Sequence, residues 1–198
     1  QACYTPSPAM EAMMPRPRWL ALLLAVFLMS AEAAMATQKD PALDGLFQRL
    51  ATIDDPVAAA ALQQAIWETW IKADTSELDA LMRQGIMQMA ANRLDDAVET
   101  FSQLIDKAPD FAEAWNKRAT VHFLRGDMAA SVADIQRTVA LEPRHFGAWS
   151  GLGMIMAELN RPADAVKAYE EALKFNPHIE GLREHIEKLR AASGERKT

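Results

Sequence analysis

At 198 residues, half of them hydrophobic, the chain is long enough to bury one sizeable core or a short stack of helical units. Only eight glycines stand against abundant Ala and Leu, which favours helix over sheet. The net charge of −6 and the lack of any run of five basic residues exclude a nucleic-acid backbone as partner, because neutralising phosphates takes clustered Lys and Arg. The single cysteine, Cys3, rules out an internal disulfide.

Residues 1–13 carry no structural pattern and read as an upstream extension, since Gln1 is no natural initiator. Residues 14–36 follow a secretory layout. Arg16 and Arg18 precede an apolar run from Trp19 to Met29, and small residues stand at Ala34 and Ala36. That run is shorter than the roughly twenty residues that cross a bilayer. The expectation is a signal peptide cut after Ala36 (or after Ala33), with an uncleaved anchor as the alternative. The product would be an acidic protein of the bacterial periplasm, or one held at the inner membrane through residues 14–36.

Residues 37–77 predict a helix pair. Leu43, Leu46, Phe47 and Leu50 recur at helical spacing. Asp54-Asp55-Pro56 is a start signal, a carboxylate cap ahead of proline at the first helical position. The second helix should run from Pro56 to Lys72, its apolar face comprising Ala59, Leu62, Ile66, Trp67 and Trp70. Both tryptophans are expected in the core, where their rings bury large area.

From residue 78 the chain repeats itself. Pro109, Pro143 and Pro177 are 143 − 109 = 34 and 177 − 143 = 34 residues apart. Trp115 and Trp149 keep that interval, with Leu81 one unit earlier. Gly85, Ala119 and Gly153 form a column of small residues, Ala97, Ser131 and Ala165 a second, and Phe101, Ile135 and Tyr169 a large apolar one. A fixed period of this length signals stacked supersecondary units. The units are 78–111, 112–145 and 146–179, each a helix, a tight turn and a second helix stopped ahead of a proline. Counting back, Phe47 (81 − 47 = 34) and Trp67 (101 − 67 = 34) fall into the same columns, so 43–75 reads as a degenerate leading repeat.

These columns resemble the tetratricopeptide repeat, a helix-turn-helix family with Trp, Gly, Ala, aromatic and Pro at such intervals. The resemblance covers about half the chain. It departs from the family at Arg118 and Gln84, where Leu is usual, and at His122, Gln88 and Met156, where Tyr is frequent. It implies an all-α fold, a short right-handed solenoid of stacked antiparallel helix pairs. It also implies a concave groove lined by first helices: Met82, Ile86 and Met89 from the first unit, Asn116, Thr120, Phe123 and Leu124 from the second, and Ser150, Met154 and Glu158 from the third. Relatives that clamp a peptide's terminal carboxylate present several Lys and Arg there, and this groove has almost none. A Met-lined trough suits an apolar helix or an extended segment instead. An end helix of the same chain filling part of it is the alternative.

Arg118 falls on the face packed against its partner helix, where a bare charge is expensive, and Asp134 lies on that helix. A structural Arg118–Asp134 ion pair is expected. His178 to Leu189 forms one more helix, a cap over 180–190, with Glu187 in the small column so that no further unit can stack. Residues 191–198 read as a frayed tail.

Catalytic chemistry finds no foothold. Gly151-Leu152-Gly153 lacks the third glycine and the preceding strand of a phosphate loop. The four histidines keep no metal-ligand spacing, and the pairs Met87/Met89 and Met154/Met156 alternate faces of a helix, unsuited to holding Cu(I). No cofactor and no metal is expected. The sequence therefore points to a non-catalytic interaction adaptor or chaperone-like scaffold of the cell envelope with a protein or peptide partner. A membrane-anchored assembly factor is the first alternative; a metal carrier or enzyme subunit is the second.

Overall fold

The computed structural model describes residues 40–193, and among these every regular element is an α-helix. The expected signal segment, the upstream extension and residues 194–198 lie outside the described residues. In chain order the helices are α1 (Ala42–Thr52), α2 (Pro56–Ile71), α3 (Ser76–Ala90), α4 (Leu94–Lys107), α5 (Ala112–Leu124), α6 (Met128–Leu141), α7 (Phe146–Glu158), α8 (Pro162–Phe175) and α9 (Leu182–Ser193). They pack in consecutive pairs, and each second helix of a pair from α4 onward also packs on the first helix of the next.

The thirty-four-residue period is built from three recurring contacts. Each first helix ends in a left-handed residue: Asn92 and Asn160 at φ 56° and Gly126 at φ 79°. At each, two backbone bonds close the turn, as where Gly126 N–H donates to Phe123 and Asp127 N–H to His122. These bonds satisfy carbonyls that the helix end would otherwise leave bare. Each second helix stops two residues ahead of its proline, and the indoles of Trp115 and Trp149 donate to the carbonyls of Pro109 and Pro143 at 3.0 and 2.9 Å. Between the paired helices, small meets large. A Cβ at Gly85 would come within 2.6 Å of the Phe101 ring and one at Gly153 within 2.5 Å of Tyr169. Where the small residue is Ala119 its column partner is Ile135, so the added methyl is matched by the loss of a ring.

Arg118 and Asp134 form a bidentate pair across α5 and α6: Nε donates to Oδ2 at 2.7 Å and Nη2 to Oδ1 at 2.8 Å. Nη1 reaches back to Ser102 Oγ on α4 at 3.0 Å, so one guanidinium ties two successive units. The Trp115 ring lies 5.0 Å under it.

Two expectations need correction. Helix α9 spans Leu182–Ser193 rather than 180–190, because Gly181 at φ 68° breaks the chain before it, and Ala191 and Ala192 continue it. It keeps the period: Arg183, 183 − 149 = 34 residues after Trp149, donates to the Pro177 carbonyl in the tryptophan's place. The leading pair is a helix pair, but it is not stacked as a repeat. Helix α1 has 11 residues where α3 has 15, because the Asp55 carboxylate and Pro56 start α2 one turn early. α2 then ends at Ile71, and it meets α5 instead of lying against α3 as a neighbouring unit would. α2 buries one stripe, Ala59, Leu62, Ile66 and Trp70, and exposes Val57, Ala60, Ala61, Gln64 and Glu68 on the other side.

Replacing Gly153 by Leu should drive Tyr169 from its place and cost about 1–3 kcal/mol in a denaturant melt. Asp134→Ala leaves the part-buried Arg118 without a counter-charge, and should cost about 3 kcal/mol in the same measurement.

Candidate functional site

The first helices α3, α5 and α7 bring the expected groove residues onto neighbouring helices, and the α1–α2 hairpin lies over part of that face. Trp70 stacks on the ring of His145, with centroids 4.2 Å apart and planes 9° apart. Trp67 stands edge-on to Trp70, His145 and Phe146 at 5.3, 5.4 and 5.5 Å. Gly147 makes room for it, since a Cβ there would lie 2.5 Å from the Trp67 ring. Phe47 of α1 completes the aromatic cluster against Trp70 and Phe146. The two tryptophans pack into the core as expected, yet they seal the second and third units rather than the neighbouring first.

Under these rings lies a buried polar network that the sequence reading did not single out. The Glu113 side chain is wholly buried, and a carboxylate there must be paired to be tolerated. Lys117 Nζ sits 3.0 Å from Oε1, and the same ammonium lies 5.4 Å over the Trp67 ring. His145 Nδ1 accepts the Ala148 N–H at 3.0 Å, capping α7. The ring proton is therefore on Nε2, which donates to Glu113 Oε2 at 2.8 Å. Asn116 Nδ2 donates to the same oxygen at 3.0 Å. Burial pushes the Glu113 carboxyl up, but the Lys117 charge and the His145 hydrogen bond outweigh it and leave it below its ordinary 4.5. The available signal was positional: Phe111, His145 and Ile179 stand 34 apart (145 − 111 = 34; 179 − 145 = 34), and a polar residue in an apolar column asks for a partner.

The hairpin is also pinned by polar ties. Arg144 binds Glu142 through Nε and Nη2 at 2.9 Å each, and its Nη1 reaches Asp44 Oδ1 of α1 at 2.6 Å. His178 Nε2 donates to the Leu50 carbonyl at 2.9 Å.

The expected groove residues divide accordingly. Met82, 1% exposed, belongs to the buried core with Phe101 and Leu104 and lines no open surface; Asn116, bonded to Glu113, borders only the inner end of a cleft. Ile86, Met89, Phe123 and Ser150 are half-buried, and Thr120 and Glu158 are exposed. Leu124 and Met154 are exposed apolar side chains at 53% and 44%. A narrow cleft of about 60 Å³ runs from Asn116 and Gly147, at the hairpin's edge, out to Phe123 and Met154. The cation nearest its inner end, Lys117, is taken by Glu113. Among the described residues no three His, Cys, Asp or Glu side chains could hold a metal ion, and no helix is long and apolar enough to cross a membrane.

Comparison with known proteins fits this architecture. Tetratricopeptide repeat profiles match residues 82–140 and 146–179. A TPR repeat-containing protein of Rhizobium etli is 31% identical over 147 residues, covering 74% of this chain and 72% of the relative. The chain belongs to the tetratricopeptide repeat family. Human tetratricopeptide repeat protein 36 is 38% identical over 74 residues, 37% of this chain and 39% of that protein. The chain thus spans well under two thirds of that relative's length. Among solved structures, the MamA protein superposes with a TM-score of 0.57 at 19% identity, over 81% of this chain and 84% of that one. The first TPR of Spaghetti (RPAP3), bound to the HSP90 peptide SRMEEVD, gives 0.58 at 22%, over 61% and 96%. The family is typically non-catalytic, in keeping with the scaffold reading.

The pH dependence of the hairpin's seat follows from Glu113. Its folded-state pKa is lowered, so its stabilisation is complete above the ordinary value and is lost as pH falls through 4.5 and below. Thermal melts between pH 7 and 3 should show a steeper acid loss for the native chain than for Glu113→Gln. Lys117→Met should cost about 3–5 kcal/mol at neutral pH, by stranding the carboxylate.

Proposed function

We infer that the chain is a protein-interaction adaptor whose open groove half takes an apolar segment of a partner protein. The observation that carries this is exposed Met154 and half-buried Phe123 at the outer end of the cleft, with exposed Leu124 following Phe123 in the chain. Thioether and aromatic side chains on adjoining helices form an adaptable apolar surface. The cleft admits one small side chain, and the remainder of the partner lies across its rim.

The HSP90 peptide held by the Spaghetti domain carries two glutamates and an aspartate. Such a tail needs cations, and here Lys117 is already committed to Glu113. An acidic, carboxylate-clamped tail is therefore the wrong ligand for this groove, and a neutral apolar segment the right one.

The layout of residues 14–36 supports placement in the bacterial cell envelope, where an exported adaptor would scaffold or chaperone envelope proteins. A chain that keeps those residues would present apoproteins to a maturation machine from the membrane. The mass of the mature chain separates the two. For the groove itself, affinity capture should recover partners with the native chain and lose them with Phe123→Glu and with Met154→Glu, circular dichroism being unchanged. Equal recovery by all three removes the groove from the function.

A further inference from the structure

We propose that the α1–α2 hairpin is a built-in competitor. It occupies the inner half of the first-helix face, where a partner helix carrying two aromatic residues three apart would bind, and the two exchange. This rests on the reading that the first-helix face is the binding surface.

Four observations carry it. The hairpin is out of step with the array: α1 is a turn short, and α2 packs on α5 rather than on α3. Its contacts are those of a ligand on a receptor. Two indoles of one helix face lie against His145, Phe146 and Gly147, and the Lys117 ammonium covers one of them. The cleft is continuous with that seat, running outward from Gly147 and Asn116, so a partner engaging Phe123 and Met154 abuts the hairpin directly. Finally, the seat is imperfect: among the described residues the buried indole N–H of Trp70 meets no acceptor. Unmet burial of this kind weakens the resident and leaves room for an occupant that can do better.

Release is compatible with the rest of the fold. The first unit and the start of the second have their own buried cluster around Phe101, Leu104 and Phe111, separate from the one the hairpin shares with the third unit. The chemistry of the seat selects the occupant. Glu113 and Lys117 neutralise each other beneath the rings, so the seat selects a flat aromatic pair by shape and stacking rather than by charge.

The probe is a fluorescein-labelled peptide of residues 56–72, which carries both indoles. Full-length Trp67→Ala/Trp70→Ala empties the seat without altering it. Its affinity for the peptide should exceed that of the native chain by about tenfold or more, since an occupied site lowers apparent affinity by the fraction left free. Asp44→Cys/Arg144→Cys in a Cys3→Ser background, bridged by a short bismaleimide, should not bind the peptide at all. If the double tryptophan variant does not fold, Asp44→Ala, which cuts the α1 tie to Arg144, is read in its place with the same direction. Equal affinity of the native, opened and bridged chains, or no binding to any of them, overturns the competitor. Partner capture through Phe123 and Met154 would then still stand. Conversely, peptide binding to the opened chain with undiminished capture by the Phe123→Glu and Met154→Glu chains would keep the exchange and discard the outer groove.

Discussion

The array depends on one steric bargain, the close approach of two helices at a position where one of them has almost no side chain. Gly85 under Phe101 and Gly153 under Tyr169 let the ring of the second helix lie flat on the backbone of the first. Each pair made this way still has an uncovered apolar side, and the next pair covers it. This nearest-neighbour logic is what makes repeat stability a sum of unit and interface terms. Arg118 adds a polar version of the same logic, holding Asp134 within its own unit and Ser102 in the preceding one.

The part of the fold governed by that local logic was legible in the sequence. Prolines, tryptophans and small residues at one interval reported helix pairs, because each contact lies within a unit or between adjacent units. The Arg118–Asp134 pair could be read for the same reason, being 16 residues apart on helices whose pairing the period already gave. The placement of the hairpin could not. Phe47 and Trp67 fall on the right columns by arithmetic, but the columns describe a neighbour that α2 does not have. What decides its position is Trp70 against His145 and Asp44 against Arg144, contacts between residues 75 to 100 apart that leave no periodic trace (145 − 70 = 75; 144 − 44 = 100). Glu113 was hidden likewise, looking like a solvated first-turn charge until His145 and Lys117 were brought to it.

The hairpin also changes what the groove is. A face of first helices that the family pattern would leave open from end to end is here divided. The inner half is aromatic, polar underneath and filled; the outer half, with Phe123 and Met154, is uncovered among the described residues. Asn116 is interior beneath the hairpin and Met82 within the first unit's own cluster, while Phe123 is half-buried and Leu124 and Met154 are exposed.

The order in which the chain is made adds a last consequence. Trp67 and Trp70 leave the ribosome before the residues that receive them, since His145, Phe146 and Gly147 follow some 75 positions later. During that interval two indoles and Phe47 have only one another to rest against, while the intervening units can already close locally. These two helices therefore wait for their seat until the start of the third unit has been made, whereas each helix from α4 onward finds a partner in the one just before it.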